Sequence, residues 1–469
     1  MNAKYDLVVI GGGNAGYTPA IRASQLGMRV ALIEKSKLGG NCLHRGCIPT
    51  KAMLQAASML ADLRRHGEEL GVLPNGVSFD YARAASHRDR VVEQLHRGTR
   101  GLMRKNRIAV YEGVGRFVEP KKLEVEGDDD KKETLEARFV LIATGSAPRS
   151  LPGLQIDHER VVTSDDVLRM EHLPASVIIL GSGAVGVEFA SKYGDFGTEV
   201  TIVEVLDRIV PLEDSEISEV LRKEFEGRGI RILTSTKADP ESLEKTDEGV
   251  RMRVKTASGG EDTLEAQMLL VAVGRKTVTE DLNLGATKVE TNSRGEIQVD
   301  EYYRTAEPGV YAAGDVIGGY WLAHVANHEG IIAAEHMAGE EPAPLDPNLV
   351  PRVTFCRPEI ASFGLTQAQA EELGYEVEVG KFPFRAVGKA LIEGKASGFF
   401  KVVADAETDL ILGMHAIGPH VTELIHEGTF AKLVEGTPQE IGMAVHAHPT
   451  LAEAFGEAAM DVHGRAINF

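Results

Sequence analysis

Two stretches of this chain carry one pattern, and few folds accommodate it. "YDLVVIGGGNAGYTPAIRASQLGMRVALIEK", beginning at Tyr5, runs from an apolar strand into Gly11, Gly13 and Gly16, then a helical pattern, then a second strand ending in Glu34. "ASVIILGSGAVGVEFASKYGDFGTEVTIVEV", beginning at Ala175, repeats the order with Gly181, Gly183, Gly186 and Glu204. In each copy the acid stands 18 positions after the last motif glycine, and a glycine that closes the helix, Gly27 or Gly197, stands 11 positions after it. Each part has a mechanical reason. The first glycine permits a tight turn, the second lets backbone approach a pyrophosphate, and the third lets the helix pack closely on its strand. Phosphate then sits at the positive helix N-terminus, and the acid accepts hydrogen bonds from ribose hydroxyls.

The pattern predicts an α/β chain with two Rossmann-like dinucleotide-binding units. A carboxylate repels a 2′-phosphate, so Glu204 favours NAD over NADP in the second unit, although Arg208 stands four residues on. Three further strand ends read as cofactor contacts: Thr144–Gly145 in "FVLIATGSAPR", Gly274 in "LLVAVGRK", and Gly314–Asp315 in "GVYAAGDVIGG". Proline-rich "EEPAPLDPNLVP" (340–351) precedes fresh strand and helix patterns that read as a separate α+β domain. "GDDDKK" (127–132) reads as a solvated hairpin tip.

The 469 residues allow about three domains on a prior of ~150 residues each. A net charge of −19 argues against nucleic acid or an anionic membrane surface as partner. No apolar run approaches the ~20 residues of a membrane span. The first strand begins almost at once, so neither a signal peptide nor an N-terminal lipoyl domain is expected, and the expected location is cytoplasmic. Three cysteines, Cys42, Cys47 and distant Cys356, make no disulfide framework.

Cys42 and Cys47 in "GGNCLHRGCIPTK" follow the first unit directly. An ideal helix would separate them by ~7.5 Å along its axis, whereas a disulfide needs Cα atoms ~4.4–6.8 Å apart. A bridge therefore requires an irregular segment, for which Pro49 and its constrained neighbour Ile48 supply a reason. A redox pair, two inert thiols and, less well, a zinc site with His44 remain open on spacing alone. The dipeptide His44–Arg45 reads as outward-facing. Lys51, four residues past Cys47, is placed to stabilise a thiolate. In "HAHPTLAEAFGEAA" (446–459), His448 and Glu453 form a candidate imidazole–carboxylate pair.

With two such units and a CxxxxC after the first, the chain resembles the flavin-dependent pyridine nucleotide–disulfide oxidoreductases from Tyr5 to its C-terminus. The resemblance implies FAD on the first unit, NAD on the second and a C-terminal domain that forms a homodimer. It divides the chain into an FAD domain with the redox disulfide (1–150), an NAD domain (151–275), a central domain completing the FAD site (276–347) and an interface domain (348–469). FAD contacts are implied for Gly11, Gly13, Gly16, Glu34, Cys42, Lys51, Gly115, Thr144, Gly145, Asp315, Ala323 and His324. NAD contacts are implied for Gly181, Gly183, Gly186, Glu188, Glu204 and Gly274, with Glu188 near Lys51 and the nicotinamide.

The resemblance also implies a Cys42–Cys47 redox disulfide, Cys42 outermost and Cys47 against the flavin. His448 becomes the acid–base catalyst and Glu453 its orienter, reaching the disulfide of the other subunit. No metal site is implied, and Cys356 has no role. "VTIVEVLDRIVP", "HAHPTLAEAF…VHGRAINF" and Glu204 are similar to family members that oxidise protein-bound dihydrolipoamide with NAD+. Such members are components of 2-oxoacid dehydrogenase complexes, which makes lipoyl domains and a core acyltransferase the implied partners. The alternatives are an NADH-dependent reductase of another small disulfide and a subunit whose main role is assembly. The chain departs from the family's usual pattern at "GGGNAG", "GRKTVTEDL" and Trp321, while "CLHRGC" resembles forms from branched-chain complexes.

Overall fold

The computed structural model describes residues 3–73, 76–127 and 131–469. It divides into two compact units, one built from Met1–Ala52, Arg83–Arg149 and Gly274–Leu345, the other from Met53–Ala82, Ser150–Val273 and Asp346–Phe469.

In the first unit, strand Ala3–Ile10 lies parallel between Val30–Glu34 and Lys132–Ile142, with Ile10 in register with Ile33 and Ile142. Ala109–Glu112 and Val310–Ala312 extend the parallel sheet on its two sides. Leu7, Val8, Val9, Val140, Leu141 and Ile142 are all fully buried. A parallel sheet covered on both faces demands such continuous apolar runs in place of alternation. The hairpin Val114–Glu119 and Lys122–Glu126 adds antiparallel strands. Half of the predicted "GDDDKK" tip, residues 128–130, lies outside the described residues, and Gly127 N–H bonds the Lys131 carbonyl.

The glycine-loop helix Asn14–Gln25 packs on helix Ala323–Ala338 with unusual closeness. Pro19 lies inside the first helix and has no N–H for the Ala15 carbonyl. Gly330 fills the position opposite, where a Cβ would lie 2.7 Å from the Pro19 ring and 3.2 Å from the Ala15 oxygen. Thr18 Oγ1 donating to Asn327 Oδ1 (2.8 Å) and the Arg22–Glu335 ion pair (2.7 Å) fix the register of the two helices.

In the second unit, strands Glu199–Val203, Ser176–Leu180 and Met268–Val271 form the centre of a five-stranded parallel sheet, with Arg231–Leu233 and Val161–Val162 at its edges. Gly197 closes helix Ala184–Phe196 in the left-handed region, as predicted. Gly27 does the same one residue past the cap of the first loop helix. The predicted C-terminal α+β pattern forms an antiparallel sheet in which Phe399–Asp405 and Ile411–Gly418 are buried throughout. Helices Val421–Leu433 and Glu453–Asp461 cover it. Ile360, Phe399 and Ile417 join Val187, Phe189 and Ile202 in one hydrophobic cluster, so the unit's parallel and antiparallel sheets share a core.

Helical glycines separate packing from propensity. Gly330→Ala is expected to lower unfolding free energy by ~1–3 kcal/mol through overpacking. Gly98→Ala, whose added Cβ meets nothing within 4 Å, should raise it by ~0.5–1 kcal/mol. Urea unfolding of both variants at unchanged slope checks the pair.

Candidate functional site

Both glycine loops lie where parallel strands end, and their atoms are arranged alike. Gly11 N–H bonds the Ile33 carbonyl (2.8 Å) and Gly181 N–H the Val203 carbonyl (2.9 Å). A Cβ at Gly16 would lie 1.8 Å from the Gly11 oxygen, and one at Gly186 would lie 2.0 Å from the Gly181 oxygen. Gly11 and Gly181 have positive φ and press on the carbonyls of Ala143 and Ala272. The middle glycines differ: a Cβ at Gly183 meets nothing within 4 Å, and one at Gly13 meets only Gly40 Cα at 3.7 Å. Protein packing requires the first and third glycines, while the second leaves open space at a helix N-terminus without a side-chain cap. A dinucleotide pyrophosphate fits both cradles.

The two acids occupy equivalent places. Glu34 accepts N–H bonds from Gly12 (2.6 Å) and Ser36 (2.7 Å). Glu204, buried, accepts from Ser182 N–H (2.8 Å), Ser182 Oγ (2.7 Å) and Leu206 N–H (2.9 Å). Each carboxylate thus braces its own loop and keeps lone pairs for a ribose. Arg208 donates to the Pro211 carbonyl at 3.3 Å. Glu188 is buried and accepts from Phe355 N–H at 2.9 Å.

The cysteine segment consists of two helices, Gly40–Arg45 and Cys47–His66. The break falls at Gly46 (φ −144°, ψ −109°) and not at Pro49. This corrects the sequence reading, because Pro49 lies in the first turn of the second helix, where its missing N–H costs nothing. A Cβ at Gly46 would lie 3.2 Å from the Asn41 oxygen and 3.6 Å from Cys42 Cα, so glycine lets the chain fold back on Cys42. Thr50 N–H (3.1 Å) and Oγ1 (2.6 Å) both bond the Gly46 carbonyl. The structure holds Cys42 and Cys47 as reduced thiols joined by a hydrogen bond. That bond first, then burial and the Cys47 charge, push the Cys42 thiol well above the ordinary range, while the Lys51 charge pulls it down. His44 does not face outward: its Nε2 donates to the Leu38 carbonyl at 2.8 Å, and burial lowers its pKa. Cys356 is fully buried, its thiol raised by burial.

The other predicted contacts of the first unit gather at strand ends. Thr144 Oγ1 donates to the Val278 carbonyl (2.6 Å), and Gly145 has φ +70° with open space at its Cβ position. Gly274 also has positive φ and open space. Gly115 is pressed by Ile33 and Ile10, which is a packing reason for its small size. Asp315 accepts from Ser146 Oγ, and Arg275 Nε donates to the same Ser146 Oγ at 2.7 Å. Ser146 and Arg275 escaped the sequence reading, although "GSA" and "GRK" flank the glycines that were singled out. Ala323 and His324 open the helix Ala323–Ala338, whose N-terminus also has no side-chain cap. Glu329 on that helix accepts from Gly314 N–H at 2.7 Å. Burial pushes its carboxyl up to about 7, the Gly314 bond opposing and Asp315 adding to the rise.

In the second unit, His448 Nδ1 bonds Glu453 Oε1 at 2.8 Å, and Glu453 Oε2 accepts from Thr450 N–H at 2.9 Å. Burial raises the Glu453 carboxyl, but the bonds from His448 and Thr450 outweigh it and hold the group below its ordinary value. An ionised carboxylate fixes hydrogen on Nδ1 and leaves Nε2 as the proton acceptor. The imidazole is largely exposed, as an acid–base group awaiting a substrate must be.

Two dinucleotide cradles, a dithiol beside the first and an oriented imidazole define an oxidoreductase that moves electrons between a nicotinamide nucleotide and a disulfide. The chain belongs to the pyridine nucleotide–disulphide oxidoreductase family, whose model matches residues 5–330 and whose dimerisation-domain model matches residues 350–459. It is 46% identical to the dihydrolipoyl dehydrogenase of Bacillus subtilis over 100% of both chains. The crystal structure of LpdA from Mycobacterium tuberculosis superposes with a TM-score of 0.89 at 28% identity, covering 97% of this chain and 99% of that one. RclA from Escherichia coli, an HOCl-induced flavoprotein disulfide reductase, superposes with a TM-score of 0.86 at 27% identity over 97% of this chain and 99% of that one.

The loops and the buried acid generate two tests. Gly183→Ala should leave the melting temperature unchanged and weaken nucleotide binding, whereas Gly186→Ala should cost ~1–3 kcal/mol of stability; denaturation and NADH titration separate them. For Glu329, the folded chain favours the protonated carboxyl and so binds more protons than the unfolded chain between about pH 5 and 7. Its contribution is present below the ordinary carboxyl range and is lost as pH rises through about 7. Glu329→Gln should therefore gain in melting temperature relative to the parent as pH rises across that window.

Proposed function

We propose that this protein oxidises protein-bound dihydrolipoamide to lipoamide with reduction of NAD+, the reaction of a dihydrolipoyl dehydrogenase. The observation that carries the reading is the Cys42–Cys47 dithiol, joined to the first glycine loop by the 2.8 Å bond from Gly39 N–H to the Gly12 carbonyl. Full-length identity of 46% to the B. subtilis enzyme supports the substrate over that of RclA, at 27%. Bound FAD would supply the two-electron relay between the cysteine pair and NAD+.

The first unit holds FAD through Gly11, Gly13, Gly16, Glu34, Lys51, Thr144, Gly145, Asp315 and the Ala323–His324 helix start. The second holds NAD through Gly181, Gly183, Gly186, Glu188 and Glu204. A four-domain division at 150, 275 and 347 belongs to the same reading. Reaction begins at the imidazole. His448 of the partner subunit takes a proton from one dihydrolipoyl thiol at Nε2, and the Glu453 carboxylate stabilises the cation formed. The thiolate attacks Cys42 Sγ of the oxidised pair, forming a mixed disulfide and releasing Cys47 as thiolate. The second dihydrolipoyl sulfur then attacks the first, the bond to Cys42 breaks, and Cys42 takes up the remaining proton. Lipoamide leaves with one new S–S bond, and its two electrons stay on the cysteines. Lys51, one helical turn past Cys47, supplies a positive charge that suits a thiolate in the reduced pair.

A homodimer accounts for the surface of the C-terminal region. Phe430, Leu433, Met443 and fully exposed Val445 lie close in sequence to His446 and His448. Exposed apolar side chains of this size mark an interaction site when they gather, and residues 350–459 match the family's dimerisation domain. Lipoyl domains and a core acyltransferase of a 2-oxoacid dehydrogenase complex are the further partners in this reading, in the cytoplasm. Among the described residues no helix is long and apolar enough to cross a membrane.

Cys42→Ser should abolish dihydrolipoamide:NAD+ activity, and His448→Gln should lower it by ~10²–10⁴-fold. Full activity in Cys42→Ser would refute the route, and turnover with NADP+ in preference to NAD+ would refute the role of Glu204.

A further inference from the structure

His96 is far from every motif, on the helix Tyr81–Lys105, yet its Nδ1 lies 2.9 Å from the Leu38 carbonyl oxygen. His44 Nε2 lies 2.8 Å from the same oxygen. A carbonyl has no hydrogen to give, so both ring nitrogens are donors and both tautomers are fixed. Two donors fill the two lone pairs of that oxygen. The rings meet edge to face, with centroids 5.1 Å apart. Leu38 is the residue just before Gly39, which caps the helix carrying Cys42. Its side chain is buried against the first glycine loop, where a Cβ at Gly12 would lie 2.8 Å from Leu38 Cδ2. Leu38 and Gly39 therefore form the pivot between the loop and the exchange cysteine. His44 grips that pivot from within the same helix, six residues on, whereas His96 grips it from 58 residues away.

We propose that His96 is a positioning residue for Cys42, clamping the Leu38 carbonyl jointly with His44 and so fixing the tilt of the Gly40–Arg45 helix. The proposal rests on the reading of Cys42 as the exchange sulfur. Loss of the His96 donor leaves the oxygen half satisfied, with His44 as its remaining donor.

The test uses NADH-reduced holoenzyme carrying His96→Phe, which removes the donor, or His96→Gln, which keeps an N–H. Three rates are measured: alkylation of Cys42 by iodoacetamide, dihydrolipoamide oxidation, and NADH–ferricyanide turnover, which needs no disulfide exchange. His96→Phe should change the first and lower the second by about fivefold or more, with the third preserved to about twofold. His96→Gln should stay within about twofold of the parent in all three. Unchanged Cys42 alkylation in His96→Phe, equal damage from His96→Gln, or an equal loss of ferricyanide turnover would overturn the proposal. If His96→Phe does not fold, His96→Ala is read by the same criteria. A parent enzyme that alkylates at Cys42 but does not oxidise dihydrolipoamide would refute the substrate reading, while the alkylation comparison still decides the clamp.

Discussion

The bond from Gly39 N–H to the Gly12 carbonyl, 2.8 Å long, ties the cysteine helix to the first glycine turn. Everything chemical in the first unit depends on that junction. Gly13 and Gly40 approach so closely that a Cβ on Gly40 would lie 2.6 Å from Gly13 Cα. No side chain intervenes between nucleotide loop and redox helix. Backbone contact contributes to placing Cys42, and it is stiffer than contact through rotatable side chains, which suits a reaction sensitive to small displacements.

Around this junction, charges are placed by strand ends and helix starts. Strand ends bring Glu34, Thr144 and Asp315 together in the first unit, and uncapped helix starts at Gly13 and Leu322 add partial positive charge. The dithiol is unsymmetrical because its members have different neighbours. Cys42 is half-buried and hydrogen-bonded to Cys47, and Lys51 is one helical turn past Cys47. His448 has the complementary design, an exposed ring with a buttressed carboxylate behind it.

Much of this was legible in the chain. Both strand–glycine–helix–strand–acid patterns became what their periodicity implied, since period, helix stop and glycine spacing are local properties. The His448–Glu453 pair was legible for the same reason, being five residues apart at a helix start. Ser146, Arg275 and His96 were not. Their partners are 129 or more residues distant for Arg275 and Asp315, and 58 distant for His96, and a single sequence carries no record of such meetings. The placement of the break at Pro49 failed because proline is tolerated in a first helical turn, and the decisive residue, Gly46, matters for what it lies against.

The sequence by itself determined two nucleotide cradles, an acid that disfavours a 2′-phosphate, a close cysteine pair and an imidazole with its carboxylate. Each depends on residues near one another along the chain, where backbone geometry converts spacing directly into position. Tertiary structure decided that the two thiols meet, where the cysteine segment bends, and that His44 turns inward to share a carbonyl with His96. Those outcomes follow from burial and from contacts between distant segments, and such forces exist only once the chain has closed on itself.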